Sequence, residues 1–217
     1  MKLTFGLLGV FAMLLLAAGS TRADSFDVSL NTSSLSGTQA LVFVLADGDG
    51  SVDNTVTLSG FSFGGGSATG SADYLGSTGV SGDLTSGITI NDSSLAFAVF
   101  TQDFNPGSVL SFVLTTTNNF SSSGFAPDGF EMQLCDPTLT TCYSDSADGT
   151  LLNVPLTGSP LSPSSFTLNT ANAQGLPAPV VTPVSTPEPG SLVLLAAGLL
   201  GLLFVVQRRP RSGSAAV

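Results

Sequence analysis

The chain has 217 residues, with 15 acidic side chains against five lysines and arginines and no histidine. All the basic residues lie near the two ends, at Lys2, Arg22, Arg208, Arg209 and Arg211. The long anionic segment between them disfavours binding to nucleic acids and anionic membranes, and it excludes catalytic arrangements that need histidine.

The first segment is typical of a secretory signal peptide. Lys2 supplies a positive charge, Leu3 to Ala18 is almost wholly apolar, and small residues follow. Cleavage after Ser20 or after Ala23 fits the small residues at the cleavage site, and Ala23 is the preferred of the two. We therefore predict a signal peptide over residues 1–23 and export of the rest.

Residues 24–170 predict one all-β domain, because a segment of about 150 residues suits a single core. Apolar side chains alternate with polar ones, and Gly, Asn, Asp and Ser separate the runs. This period of two is typical of short strands and favours an antiparallel β-sandwich, with a jelly roll as one candidate topology. Eight or nine strands are expected, near residues 26–30, 41–45, 52–63, 88–90, 95–100, 110–117, 130–134, 151–156 and 166–168.

Residues 47–54, Asp-Gly-Asp-Gly-Ser-Val-Asp-Asn, carry oxygen donors at alternate positions. The candidate calcium ligands are Asp47, Asp49, Ser51 and Asp53. Ca²⁺ takes roughly six to eight such oxygens. The segment is not an EF-hand, because Val52 replaces the required glycine and Leu58 the required glutamate. The alternative interpretation is a hairpin turn between strands 41–45 and 56–63, built on two Asp-Gly pairs.

Two cysteines, Cys135 and Cys142, close the segment CDPTLTTC. In an exported protein, such a pair predicts a disulfide across a short loop. Glu131 with Asp128 is the one carboxylate pair considered for glycoside hydrolysis. Nothing in the sequence marks this pair as catalytic, so we predict that the chain is not an enzyme and has no cofactor other than a candidate Ca²⁺.

The C-terminal part changes composition twice. Residues 171–189 are rich in Ala, Pro, Val and Thr without periodicity, which predicts an extended linker. Residues 190–206 then carry no charge and would span about 25 Å as a helix, which predicts a transmembrane segment. The arginines that follow place the C-terminus on the cytoplasmic side.

Three features in fixed order resemble the PEP-CTERM sorting signal of Gram-negative bacteria over residues 186–211. They are the tripeptide Pro187, Glu188 and Pro189, the apolar run, and the basic pair Arg208 and Arg209. The resemblance implies transient inner-membrane insertion and cleavage near the tripeptide by an exosortase, a membrane transpeptidase-like protease. It also implies delivery to the cell surface or the exterior. The extension 212–217 departs from the pattern.

These features predict an exported structural or adhesive protein. The association with exopolysaccharide comes only from the resemblance, because proteins with this signal often accompany exopolysaccharide production. The alternative function is a Ca²⁺-assisted carbohydrate-binding module. A third interpretation, a permanently anchored membrane protein, would require the C-terminal segment to stay attached.

Overall fold

The computed structural model describes residues 23–92, 96–122 and 126–184. The predicted signal peptide up to residue 22, the predicted transmembrane helix 190–206 and the sorting motif lie outside the described residues. Within the described ranges, no helix is both long enough and apolar enough to cross a membrane.

Twelve β-strands form the described part of the chain, and its helical pieces are single 3₁₀ turns at Pro163–Ser165 and Asn172–Gln174. The strands are β1 Ala23–Asn31, β2 Gln39–Ala46, β3 Thr55–Ser62, β4 Ser67–Ala68, β5 Val80–Asp83, β6 Gly87–Asn91, β7 Phe97–Asn105, β8 Val109–Thr117, β9 Asp128–Cys135, β10 Thr150–Leu156, β11 Thr167–Leu168 and β12 Val180–Pro183. The count exceeds the eight or nine expected because β4, β5 and β12 are too short or too rich in Gly and Pro to show an alternating pattern.

The strands build two six-stranded sheets, and every strand pair in them is antiparallel. The first sheet has the order β12-β1-β8-β3-β6-β5, and the second has the order β11-β10-β9-β2-β7-β4. The predicted all-β, antiparallel fold class is confirmed. The chain passes from one sheet to the other at several connections, so strands adjacent in sequence often lie in different layers.

Phenylalanine side chains join the two sheets. Phe43 on β2 lies with its ring centroid 5.6 Å from that of Phe112 on β8, in an edge-to-face arrangement across the interior. Within its own sheet, Phe43 packs 6.0 Å from both Phe100 and Phe130. Aromatic pairs at these distances add about 0.5–1.5 kcal/mol beyond their area burial. The core therefore centres on Phe43, with contacts in both layers.

Strand β8 shows why the alternating pattern predicts the core correctly. Its side chains alternate between buried and half-buried along all nine residues. Leu110, Phe112 and Leu114 are buried in the core, and the residues between them face outward. Successive side chains of a strand point to opposite faces, so an apolar period of two marks one inward face.

The predicted disulfide between Cys135 and Cys142 is present, and it closes the loop between β9 and β10. Asp136 shapes this loop, because its carboxylate accepts hydrogen bonds from the hydroxyl and N–H groups of Thr138 and Thr140. The hydroxyl of Thr138, followed by that of Thr140, holds the pKa of Asp136 well below its usual range. The covalent bridge and the charged turn therefore both constrain the same loop.

The predicted linker 171–189 is wrong in its first part, because the sandwich continues to Val184. Ala171, Leu176 and Val181 are buried in the core. β12 adds an edge strand to β1, with Val181 opposite Val28. Proline lacks an N–H donor and is therefore found mainly on edge strands, which explains how a proline-rich segment can end a sheet.

Candidate calcium site

Five aspartates meet at one end of the sandwich and are called the aspartate cluster here. They form two overlapping groups, one of Asp47, Asp92 and Asp128 and the other of Asp49, Asp53 and Asp128. Within each group, one carboxylate oxygen per residue lies within 4.8 Å of the others. Ca²⁺ binds oxygens at about 2.3–2.6 Å, so two ligands of one ion are at most ~5 Å apart. The spacing therefore suits oxygen coordination of Ca²⁺.

The cluster is assembled from both sheets. Residues 47–54 connect β2 of the second sheet to β3 of the first, Asp92 follows β6 of the first sheet, and Asp128 begins β9 of the second. The alternative prediction of a hairpin turn is wrong, because β2 and β3 do not pair. The two Asp-Gly pairs instead form a crossover that carries the chain between layers.

Sequence reasoning found three members of the cluster and missed two. The spacing within residues 47–54 predicts Asp47, Asp49 and Asp53 as ligands, and the structure brings them together around Asp128. Ser51 donates its backbone N–H to Asp49 Oδ1 over 2.8 Å, so it braces a neighbouring carboxylate. Asp92 and Asp128 carry no local signal, because both come from distant strands.

Asp128 organises the loop through its two oxygens. Its Oδ1 accepts the N–H groups of Gly48 at 2.9 Å and Asp49 at 3.3 Å, and its Oδ2 accepts the side-chain amide of Asn54 at 2.7 Å. Asp47 Oδ1 in turn accepts the N–H of Gly50 at 2.6 Å. Charge-assisted hydrogen bonds of this kind hold the carboxylates in place before any ion arrives.

Hydrogen bonds and neighbouring charges move two pKa values in opposite directions. The backbone N–H of Ser121, which donates to Asp49 Oδ2 over 2.5 Å, is the main cause of a lowered pKa at Asp49. Partial desolvation, followed by the negative charges of Asp49, Asp128 and Asp47, raises the pKa of Asp53. Neighbouring negative charge thus opposes the ionisation of Asp53, and a bound cation would cancel that effect.

Gly48 allows the loop to approach β9 closely. A Cβ at this position would lie 2.4 Å from the carbonyl oxygen of Pro127 and 2.8 Å from that of Ala126. Both contacts are to backbone atoms, so a side-chain rotation cannot relieve them. Glycine is therefore required where residues 47–54 pass the start of β9.

We expect Gly48→Ala to lower the free energy of unfolding by about 1–3 kcal/mol, because the loop and the segment before β9 must separate. Thermal unfolding of the sandwich, residues 23–184, would measure the loss. Gly129→Ala is the matched control, since a Cβ there meets nothing closer than 3.8 Å. Equal stability of the two variants would contradict the close approach.

Asp128 and Glu131, the carboxylate pair considered for catalysis, lie on opposite faces of β9. Asp128 is buried within the aspartate cluster, whereas Glu131 is half-buried. Glu131 instead accepts the side-chain amide of Asn153 at 3.0 Å. The two carboxylates do not face one common substrate position.

The cluster lies at the end of the sandwich where the described chain begins and ends. Ala23 pairs with Thr117 on β8, and the Thr117 hydroxyl is 3.2 Å from Asn54 Oδ1. Val184 donates its N–H to Ser25 at 2.9 Å, two residues from the same strand end. Val184, where the described chain ends, and the aspartate cluster therefore lie at the same end of the sandwich.

Comparison with known proteins finds a match in the C-terminal segment. No curated protein sequence gives a significant match to the chain, and no solved structure gives one either. Residues 185–209 match the family model of the PEP-CTERM protein-sorting motif, and this range contains the predicted tripeptide and the basic pair. The motif implies export and processing by an exosortase. The chain therefore carries a PEP-CTERM sorting signal, placed directly after a β-sandwich.

Proposed function

We propose that this protein is a structural or adhesive component of the cell surface or the extracellular matrix, associated with exopolysaccharide and delivered by exosortase processing. The observation that carries the proposal is the order of the chain. A sandwich ends at Val184, and the sorting motif begins at residue 185. The sandwich is thus the part that sorting would deliver.

The composition of the sandwich supports a non-catalytic role. Between Ala23 and Val184 there is no histidine, lysine or arginine, and both cysteines form the disulfide. The residues left for acid–base catalysis are mainly carboxylates, and Asp128 and Glu131 lie on opposite faces of β9. We therefore also propose that the protein is not an enzyme.

The test is the mass of both mature termini, measured on protein from cells with and without the exosortase. We expect a new N-terminus at Thr21 or Asp24 and loss of residues 190–217 only when the exosortase is present. A chain with Pro187→Ala and Pro189→Ala should retain the C-terminal segment. Retention of that segment by the parent chain in exosortase-containing cells would instead support a permanent membrane anchor.

The surface role is tested separately by cell fractionation. We expect the processed protein to be retained with the exopolysaccharide and to be released when that polymer is removed by a mutation in its synthesis. Equal release into the medium from cells with and without the polymer would contradict the association.

A second candidate function, Ca²⁺-assisted carbohydrate binding, is favoured by the convergence of the aspartate cluster. Asp47, Asp49 and Asp53 come from the connecting loop, and Asp92 and Asp128 add oxygens from both sheets. The described residues offer no basic side chain to neutralise them, so a cation from solution is the natural counter-charge. Hard divalent ions prefer such oxygen sets.

This candidate predicts that purified sandwich binds immobilised exopolysaccharide in millimolar Ca²⁺ and elutes with a chelator. Asp128→Asn should weaken retention, because Asp128 belongs to both groups of the cluster. Asp27→Asn is the matched control, since it removes one exposed charge on β1 outside the cluster. If retention is the same with and without Ca²⁺, carbohydrate binding by the sandwich does not depend on calcium and this candidate function is wrong.

A further inference from the structure

The last strand of the sandwich runs directly into the sorting signal. Among the described strands, β12 pairs with β1 alone, through the register pairs of Val180 with Ser29 to Pro183 with Phe26. The N–H of Val184 still bonds to Ser25 at 2.9 Å. The PEP-CTERM motif begins at the next residue, so the two features share one continuous stretch of chain.

The length of chain between them is short. From Val184 to Pro187 there are three residue steps, and an extended chain covers at most ~3.6 Å per residue, or about 11 Å. A protein that binds an extended peptide does so by hydrogen bonding to several consecutive backbone groups of that peptide. The backbone from Val180 to Val184 is already bonded to β1, so it is not free for a protease.

We propose that β12 detaches from β1 when the exosortase binds the sorting signal. The proposal rests on the exosortase processing described above. Detachment would extend the free chain back to Leu176, which is 1% exposed and anchored in the core. Residues 177–184 would then add at most about 29 Å of extended reach.

The packing of β12 suits a strand that leaves without unfolding the sandwich. Val181 is 8% exposed and is its one buried side chain, whereas Val180 is 60% exposed. The strand lies at the edge of its sheet, so its removal uncovers β1 and leaves β1 paired with β8. Elements with few buried contacts are the ones that open locally.

The test fastens β12 to β1 in the full-length chain. Asp27 and Thr182 are register partners and both are exposed, so Asp27→Cys with Thr182→Cys would form a cross-strand disulfide during export. In exosortase-containing cells, pulse-chase labelling should show processing at least tenfold slower than in the parent chain. Each single cysteine variant is a matched control and should be processed at the parent rate.

A second set of variants distinguishes a shortage of free chain from misfolding of the disulfide variant. Ten Gly and Ser residues inserted after Val184 of the fastened chain should restore processing, because they provide free backbone while β12 stays bound. Val181→Ser should speed processing by loosening the strand, whereas Val180→Ser should not. Parent-rate processing of the fastened chain, or no rescue by the insertion, would overturn the proposal. If the parent chain itself is never processed, the sorting function fails as well.

Discussion

Asn54→Asp is expected to destabilise the sandwich by about 3 kcal/mol or more, which is the largest effect of a single substitution that we anticipate. Asn54 is 2% exposed. Its amide donates to Asp128 Oδ2 at 2.7 Å and to the carbonyl of Asn119 at 3.0 Å. The aspartate would keep the shape but place an oxygen where both partners need a donor, and it would add a buried negative charge beside Asp128.

Thermal unfolding followed by circular dichroism or calorimetry is the suitable measurement, since the chain has no tryptophan. At roughly 2–4 °C per kcal/mol, we expect a fall in Tm of about 6–12 °C. The deficit relative to the parent should shrink as the pH falls, because burial beside a carboxylate would raise the pKa of the new carboxyl. A raised folded-state pKa penalises stability above the unfolded value and not below it.

Asn31→Asp is the matched control for this substitution. Asn31 is exposed, and its side-chain oxygen only accepts, from the N–H and hydroxyl of Ser33. Aspartate can make the same hydrogen bonds while adding the same charge. If both variants melt within a degree or two of the parent, the hydrogen bonds of Asn54 to Asp128 and Asn119 do not stabilise the sandwich.

Calcium is expected to raise the Tm of the sandwich by about 3–10 °C at 10 mM. Extracellular calcium modules bind with Kd values of roughly 0.1–1 mM, and ligand binding at 10–100 times Kd stabilises a fold by about 1.4–2.7 kcal/mol. The conversion to Tm uses the same 2–4 °C per kcal/mol, approximately. The same concentration of Mg²⁺ should have less effect, because Mg²⁺ demands stricter octahedral geometry and holds its water.

Asp53→Asn sharpens the calcium prediction because its two effects have opposite signs. The pKa of Asp53 is raised, so its ionised form costs stability at neutral pH without an ion, and Asp53→Asn should raise the Tm of the calcium-free protein. The same variant should lose at least half of the calcium-induced shift. Asp27→Asn should keep the full shift, and an unchanged response of Asp53→Asn would remove Asp53 from the site.

The sequence predicts the sandwich wherever local patterning decides the structure. Leu110, Phe112 and Leu114 alternate with polar or outward residues, so the inward face of β8 can be identified without its partners. Val180 to Pro183 could not be recognised in this way. A strand of four residues that follows one proline and ends in another shows no period, and it forms because β1 offers an edge.

The aspartate cluster likewise contains members that the sequence predicts and members that it does not. Asp47, Asp49 and Asp53 share one loop and could be predicted from their spacing. Asp128 joins them from 74 positions beyond Asn54, and its place depends on the pairing of β9 with β2. Non-local pairing is set by the whole sheet, so no window of sequence contains it.

Val184 and the aspartate cluster lie at the same end of the sandwich, and this has a consequence for attachment. In the first sheet, β12 and β3 are separated by β1 and β8, so these two strands lie about 15 Å apart across the sheet. The end of the sandwich that carries Val184 therefore also carries the five carboxylates of the aspartate cluster. An anionic polymer could approach that end closely only with a multivalent cation between the two charged surfaces. With calcium bound as proposed, the affinity of this end of the sandwich for an anionic polymer would rise with the calcium concentration outside the cell.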